Sequence, residues 1–167
     1  MYSKAYLLTA TTFITGVFGA SISIPRSTQI SAQHGTLVEP TGLTTVLSGV
    51  DFSFDYLNSN WCHDGYSPIS VWLTDYQPTG TDVNATSGTF DEGKFTYFFG
   101  NFLIPNFGIP VLPGSTPPPP TLTMPDLSGQ FSAGGTLFLS VIETARDCPP
   151  GNVPPQYGLT EAALVMG

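Results

Sequence analysis

Few residues in this chain have the type and spacing that chemistry requires. No G-x-S-x-G turn is present to lift a serine nucleophile. His63 follows Cys62 directly, but neighbours on a turn rarely face each other, and a cysteine held in a disulfide cannot serve a dyad. A copper site built on an N-terminal histidine would need cleavage after Gln33 to make His34 the first residue. Asp51 and Asp55 share the outward phase of one strand, with Asp75 on the inward phase of the next. Glycoside hydrolysis asks for two carboxylates about 5 or 9 Å apart across a cleft, whereas such acids ordinarily sit solvated on the surface. Asp64, Asp91, Glu92 and Asp126 could meet in loops around calcium, yet they form no D-x-D-x-D pattern, and no CxxC or HxxxH pair is available for zinc. The sequence therefore assigns no catalytic residue, no metal and no cofactor.

Adhesion is better served than catalysis. Trp72 and Tyr76 are four apart in a strand-like stretch and so share a phase. On an open sheet face they would make a flat aromatic platform for stacking on sugar rings. The competing role for Trp72 is core, where a sandwich often places a tryptophan on this strand. Trp61, beside Cys62, has the position of a disulfide shield rather than a ligand contact.

The elements that must hold these residues are strands. Val50 to Leu57 alternates, with Val50, Phe52, Phe54 and Tyr56 on one phase and Asp51, Ser53 and Asp55 on the other. Ile69 to Tyr76 alternates again, with Ile69, Val71 and Leu73 directed to the core. Thr36 to Glu39 and Leu43 to Leu47 are short strands separated by a Pro/Gly step, as in the split first strand of an immunoglobulin-like sandwich. Lys94 to Phe102 reads as an aromatic strand bent at Gly100, Thr121 to Met124 as a short strand, and Thr136 to Thr144 as a long one. Tyr157 to Met166 closes the chain as a strand, or as a short helix through Glu161 to Leu164. Leu103 to Pro120 holds seven of the sixteen prolines. It is expected to be a stiff connection, locally polyproline II at 117–120, that packs its apolar residues across one end of the sandwich. The fold class is all-β: an immunoglobulin-like antiparallel β-sandwich of about seven to nine strands with one disulfide.

Composition sets the compartment. Residues 1–20 carry Lys4, an apolar run and small residues in the order of a secretory signal peptide; residues 21–35 read as a flexible leader, and 36–167 as the single sandwich domain. Two cysteines in a secreted chain pair most simply as Cys62–Cys148. Asn84-Ala85-Thr86 is an N-glycosylation sequon in a polar loop. The formal net charge is −8, and loss of Lys4 with the signal makes it more negative. Such a charge disfavours nucleic acid and anionic membrane as partners. The C-terminus lacks the hydrophobic tail of a glycolipid anchor, so an extracellular protein, released or bound non-covalently, is expected.

The segments "GLTTVLSGVDFSFDYL", "ISVWLTDY", "TLTMPDL" and "GTLFLSVIETARDC", in that order, resemble small secreted fungal proteins of immunoglobulin-like sandwich type. Their plan is similar to the N-terminal domain of the Ser/Thr-rich, glycolipid-anchored wall proteins. This chain lacks that family's Ser/Thr-rich stalk and anchor signal. The resemblance implies a fold and a compartment, since one sandwich hosts many activities. The functional expectation is a non-enzymatic module that binds cell-wall or matrix polysaccharide through Trp72 and Tyr76. The alternative is an effector-type protein that binds a protein partner through its loops, for which exposed apolar residues in 103–120 would be the mark.

Overall fold

The structure, a computed structural model, describes residues 30–146, 148 and 154–167. The expected signal peptide and most of the leader lie outside the described residues. Among those described, nine strands form: β1 (Thr36–Glu39), β2 (Thr44–Val46), β3 (Asp51–Ser53), β4 (Asp55–Leu57), β5 (Tyr66–Thr74), β6 (Tyr97–Pro105), β7 (Thr121–Thr123), β8 (Thr136–Ala145) and β9 (Gln156–Met166). One 3₁₀ turn spans Gly80–Asp82. No described helix is long and apolar enough to cross a membrane. The closing segment is strand throughout, so the helix considered for Glu161 to Leu164 does not form.

The strands build two layers. One is a five-stranded sheet in the order β2-β9-β8-β5-β6; the other combines the pairs β1-β4 and β3-β7. β3 and β4 are one alternating stretch parted at Phe54, whose N–H turns to the carbonyl of Pro120 at 2.9 Å. The two short strands on either side of Pro40 and Gly42 go to different layers. β1 runs antiparallel to β4 in one layer, and β2 runs parallel to β9 in the other. The chain crosses between layers over residues 40–43, where proline and glycine end both strands.

The main core fills the space between layers. Phe52, Phe54, Tyr56, Leu122, Met124 and Leu127 pack on Ile69, Val71, Leu73, Leu137, Leu139 and Val141. Of these, Phe52, Phe54, Tyr56, Ile69, Val71, Leu73, Leu137, Leu139 and Val141 are residues that the period of two directs inward. Asp51, Ser53 and Asp55 are exposed on the other phase, as that period requires. Val50 departs from it and is exposed, because it lies in the turn before β3.

Three boundaries differ from the sequence-based expectation. β5 starts earlier, at Tyr66, and ends at Thr74, which leaves Tyr76 beyond the strand. β6 starts at Tyr97 and continues through Leu103 and Ile104 to Pro105, which had been placed in the connection. Proline is tolerated there because β6 is an edge strand and Pro105 is its last residue. A bulge opposite Val71/Trp72 inserts one residue near Gly100, whose φ of 146° lies where side chains fit poorly.

The third difference is the leader, whose described end is packed. Ile30 bridges to Tyr157, Ser31 N–H donates to the Tyr157 carbonyl at 2.8 Å, and Gly35 is buried. A Cβ on Gly35 would overlap the Leu57 carbonyl and the Tyr56 hydroxyl, so glycine alone allows this approach.

Cys62 and Cys148 are bridged, with Cα atoms 4.6 Å apart and a sequence separation of 86. The bridge joins the β4–β5 and β8–β9 loops at one end of the sandwich. In the chain-entropy account a closed loop of that length stabilises by about 4–5 kcal/mol. Reduction is expected to lower the melting temperature by about 8 °C or more while the core still folds. Calorimetry with and without reductant checks this, and an unchanged melting temperature would show that the bridge contributes nothing.

Candidate functional site

Trp72 lies on the face of β5 turned away from the main core, as its phase dictates, but that face is not open. The side chain is 5% exposed. Its ring sits 4.2 Å from that of Phe98, 4.7 Å from Phe95 and 5.7 Å from Phe90, centroid to centroid. Its indole N–H donates to Ser70 Oγ at 2.8 Å. The cover comes from the β5–β6 excursion. Val83, Phe90 and Phe95 close over Trp72, Ile142 and Tyr157 as a second apolar cluster. Tyr76 is partly buried beyond the strand, and its hydroxyl donates to the Lys94 carbonyl at 3.0 Å. The expected platform of Trp72 and Tyr76 is therefore corrected. The sheet's second face needs apolar cover of its own, and Phe90 and Phe95 supply it from a connection that otherwise reads as polar.

The disulfide end holds the polar structure. Trp61 packs against Cys62, Cys148 and Ala145, as a shield for the bridge. Beside it lies Glu143 on β8, 1% exposed. Its carboxylate accepts five hydrogen bonds. Oε2 takes the Gly35 N–H at 3.0 Å, the Tyr56 hydroxyl at 2.9 Å and the Ser59 N–H at 3.1 Å. Oε1 takes the Ser59 hydroxyl at 3.2 Å and the Asn60 N–H at 3.1 Å. All five groups, from four residues, donate to the carboxylate oxygens. One side chain so ties together the leader, β4 and the β4–β5 loop. Burial, with the Glu143 charge next in weight, pushes the Tyr56 phenol well above its ordinary value of 10.0.

Sequence reasoning missed Glu143. A signal was available: it continues the inward phase of Leu137, Leu139 and Val141 by one more step of two.

A second polar network anchors the neighbouring loops. Asn58 donates to Ser67 Oγ and to Asn106 Oδ1, both at 2.8 Å, and Asn106 donates to the Asp64 carbonyl at 2.7 Å. The loop that follows Asn106 presents Phe107, Val111 and Leu112 at 69%, 48% and 44% exposure. These residues were expected to pack across the end of the sandwich. All three instead face outward, in a loop closed by its own hydrogen bonds. Ile109 N–H donates to the Asn106 carbonyl at 3.0 Å, Ser115 N–H to that of Leu112 at 3.0 Å, and Leu103 N–H to that of Thr116 at 2.9 Å.

The remaining candidates are scattered. His34 is exposed, its Nδ1 near the Gly35 carbonyl and Thr160 Oγ1. His63 is exposed in the turn before Asp64. Asp51 accepts from the Thr123 hydroxyl, and Asp126 from Ser128, whose hydrogen bonds hold its carboxyl below the usual range. Asn84 of the sequon caps its own turn, accepting from Thr86 N–H and donating to Asp91. Among the described residues no three His, Cys, Asp or Glu side chains gather as metal ligands would.

Three outcomes follow. Trp72→Ala is expected to cost about 3–5 kcal/mol of stability, the loss of a core aromatic. A variant as stable as the wild type by chemical denaturation would contradict the buried placement. Glu143→Gln puts an NH₂ against N–H donors and is expected to cost on the order of 3 kcal/mol. Because folding raises the Tyr56 phenol above its unfolded value of 10.0, the stabilisation is complete below pH 10 and is lost as pH climbs beyond it. The melting temperature should fall more steeply above that pH in the wild type than in Tyr56→Phe, and parallel profiles would refute the linkage.

Comparison of the chain with known protein families, with curated proteins and with solved structures finds no match.

Proposed function

We propose that this chain is a secreted, extracellular binding protein of immunoglobulin-like plan, non-enzymatic, which engages a protein partner through the loop that follows β6. The compartment rests on the signal-like N-terminus, the sequon and the bridged cysteines. The plan rests on β1 and β2 dividing the first strand between layers, as in immunoglobulin-like sandwiches. It departs from antibody domains in that the disulfide joins loops rather than strands of the two sheets. The resemblance to fungal wall proteins agrees with this compartment and remains part of the proposal.

One observation carries the binding role: Phe107, Val111 and Leu112 stand exposed on a proline-stiffened loop. Water-exposed apolar side chains are unfavourable, and grouped ones mark contact surfaces. A loop held by its own hydrogen bonds loses little entropy on docking. The polysaccharide reading loses its mark, since Trp72 is covered. The carboxylate that sequence alone would not have singled out, Glu143, spends its acceptor capacity on the chain's own donors.

The test is capture of extracellular proteins by the intact secreted protein, beside the variant Phe107→Ser/Val111→Ser/Leu112→Ser. A specific partner should be retained by the wild type and lost by at least about tenfold in the variant, the effect of removing interface anchors. The variant's melting temperature should stay close to the wild type's, because all three side chains are exposed. Retention on chitin or glucan with no protein partner would overturn the reading, as would equal capture by both forms.

A further inference from the structure

A cleft of about 510 Å³ opens beside this loop. Its apolar lining is Phe54, Ile104 and the proline run 118–120. Its charged lining is Glu39 and Asp55. These two acids are cross-strand partners in the β1–β4 pair, just beyond a bulge that shifts the register between Leu37 and Glu39. Side chains directly opposite on an antiparallel pair point to the same face, and like charges there oppose pairing. The described residues contain two Lys or Arg side chains, Lys94 and Arg146, and neither lines the cleft. Two like charges are thus held together by strand register over an apolar wall, with no described cation between them. The wall is stiff: proline fixes its backbone, and the Pro120 carbonyl is tied to the Phe54 N–H.

From these features we infer that the cleft binds a lysine or arginine side chain of a protein partner. The aliphatic stem lies along Ile104 and the prolines, and the cationic head meets Glu39 and Asp55. Long basic side chains suit such a site because they carry an apolar stem and a charged tip. An arginine fork can reach two carboxylates at once. The net charge of −8 draws basic surfaces toward the chain as a whole, and this cleft gives them a place to seat. The inference deepens the proposed partner binding by naming the partner's chemistry. The proline wall is continuous in sequence with the exposed loop, so one partner surface can span both.

The experiment titrates the intact ¹⁵N-labelled protein with N-acetyl-arginine amide and, separately, with the neutral isostere N-acetyl-citrulline amide. The arginine probe should shift the amides of Glu39, Asp55, Tyr56 and Ile104, and the citrulline probe should not. Glu39→Gln/Asp55→Asn should weaken the arginine probe by at least about tenfold. The same double variant should melt about 1–3 °C higher, because the like-charge contact is relieved. Shifts spread equally over the acids at Asp91 and Glu92 would overturn the site, as would binding that the double variant leaves unchanged. A melting temperature that fails to rise would show that the two charges are already compensated. The probe should bind the Phe107→Ser/Val111→Ser/Leu112→Ser variant as it binds the wild type. Failure of the loop as a partner surface is thereby separable from failure of the cleft.

Discussion

The buried carboxylate of Glu143 constrains more of this structure than any other group. A charge taken out of water must be met by donors, and here five converge on it from three separate segments. Each donor is committed in turn. Gly35 has no side chain because its backbone must reach the carboxylate past Tyr56 and Leu57. Tyr56 keeps its phenol protonated in order to donate. The β4–β5 loop points two backbone N–H groups inward at Ser59 and Asn60. The disulfide then closes over the same end. Cys62 follows Asn60 by two residues, and Cys148 follows β8 by three. Electrostatic and covalent constraints so act on the same loops.

The five-stranded sheet poses a second demand, because both of its faces are apolar. One face is covered by β1, β3, β4 and β7. Among the described residues the other face is covered by the excursion between β5 and β6, with Ile30 at its margin. This arrangement buries Trp72 and Phe90 and partly buries Phe95 and Phe98. Phe107 lies outside this cover, exposed on the loop after β6. That loop presents Phe107, Val111 and Leu112, as the strands themselves present Val38, Leu57 and Tyr97. It holds apolar residues outward on a framework of prolines, beside two carboxylates that strand register forces together.

Much of this was legible in the residues. The inward phase of Phe52, Phe54 and Tyr56, of Ile69, Val71 and Leu73, and of Leu137, Leu139 and Val141 was plain, because alternation maps directly onto the two faces of a strand. The pairing of two lone cysteines and the break between β1 and β2 were equally plain, since both rest on local chemistry. The strand in Leu103 and Ile104 was not, because the proline-rich run after them masks a strand that tolerates proline only by lying at an edge. The cover over Trp72 was not legible either. Alternation says which side of a strand a residue faces, and it cannot say what lies opposite that side.

What the sequence determined by itself was therefore the all-β class, the inward residues and the disulfide, since these depend on near neighbours or on a count of two. Tertiary structure alone decided that Trp72 is core, that Glu143 is a hub and that Phe107 is exposed. It also decided that Glu39 stands opposite Asp55. The physical reason is the same in each case. Burial and pairing are properties of segments distant in the chain, such as Gly35 with Glu143 or Trp72 with Phe90, and these meet only when the layers close.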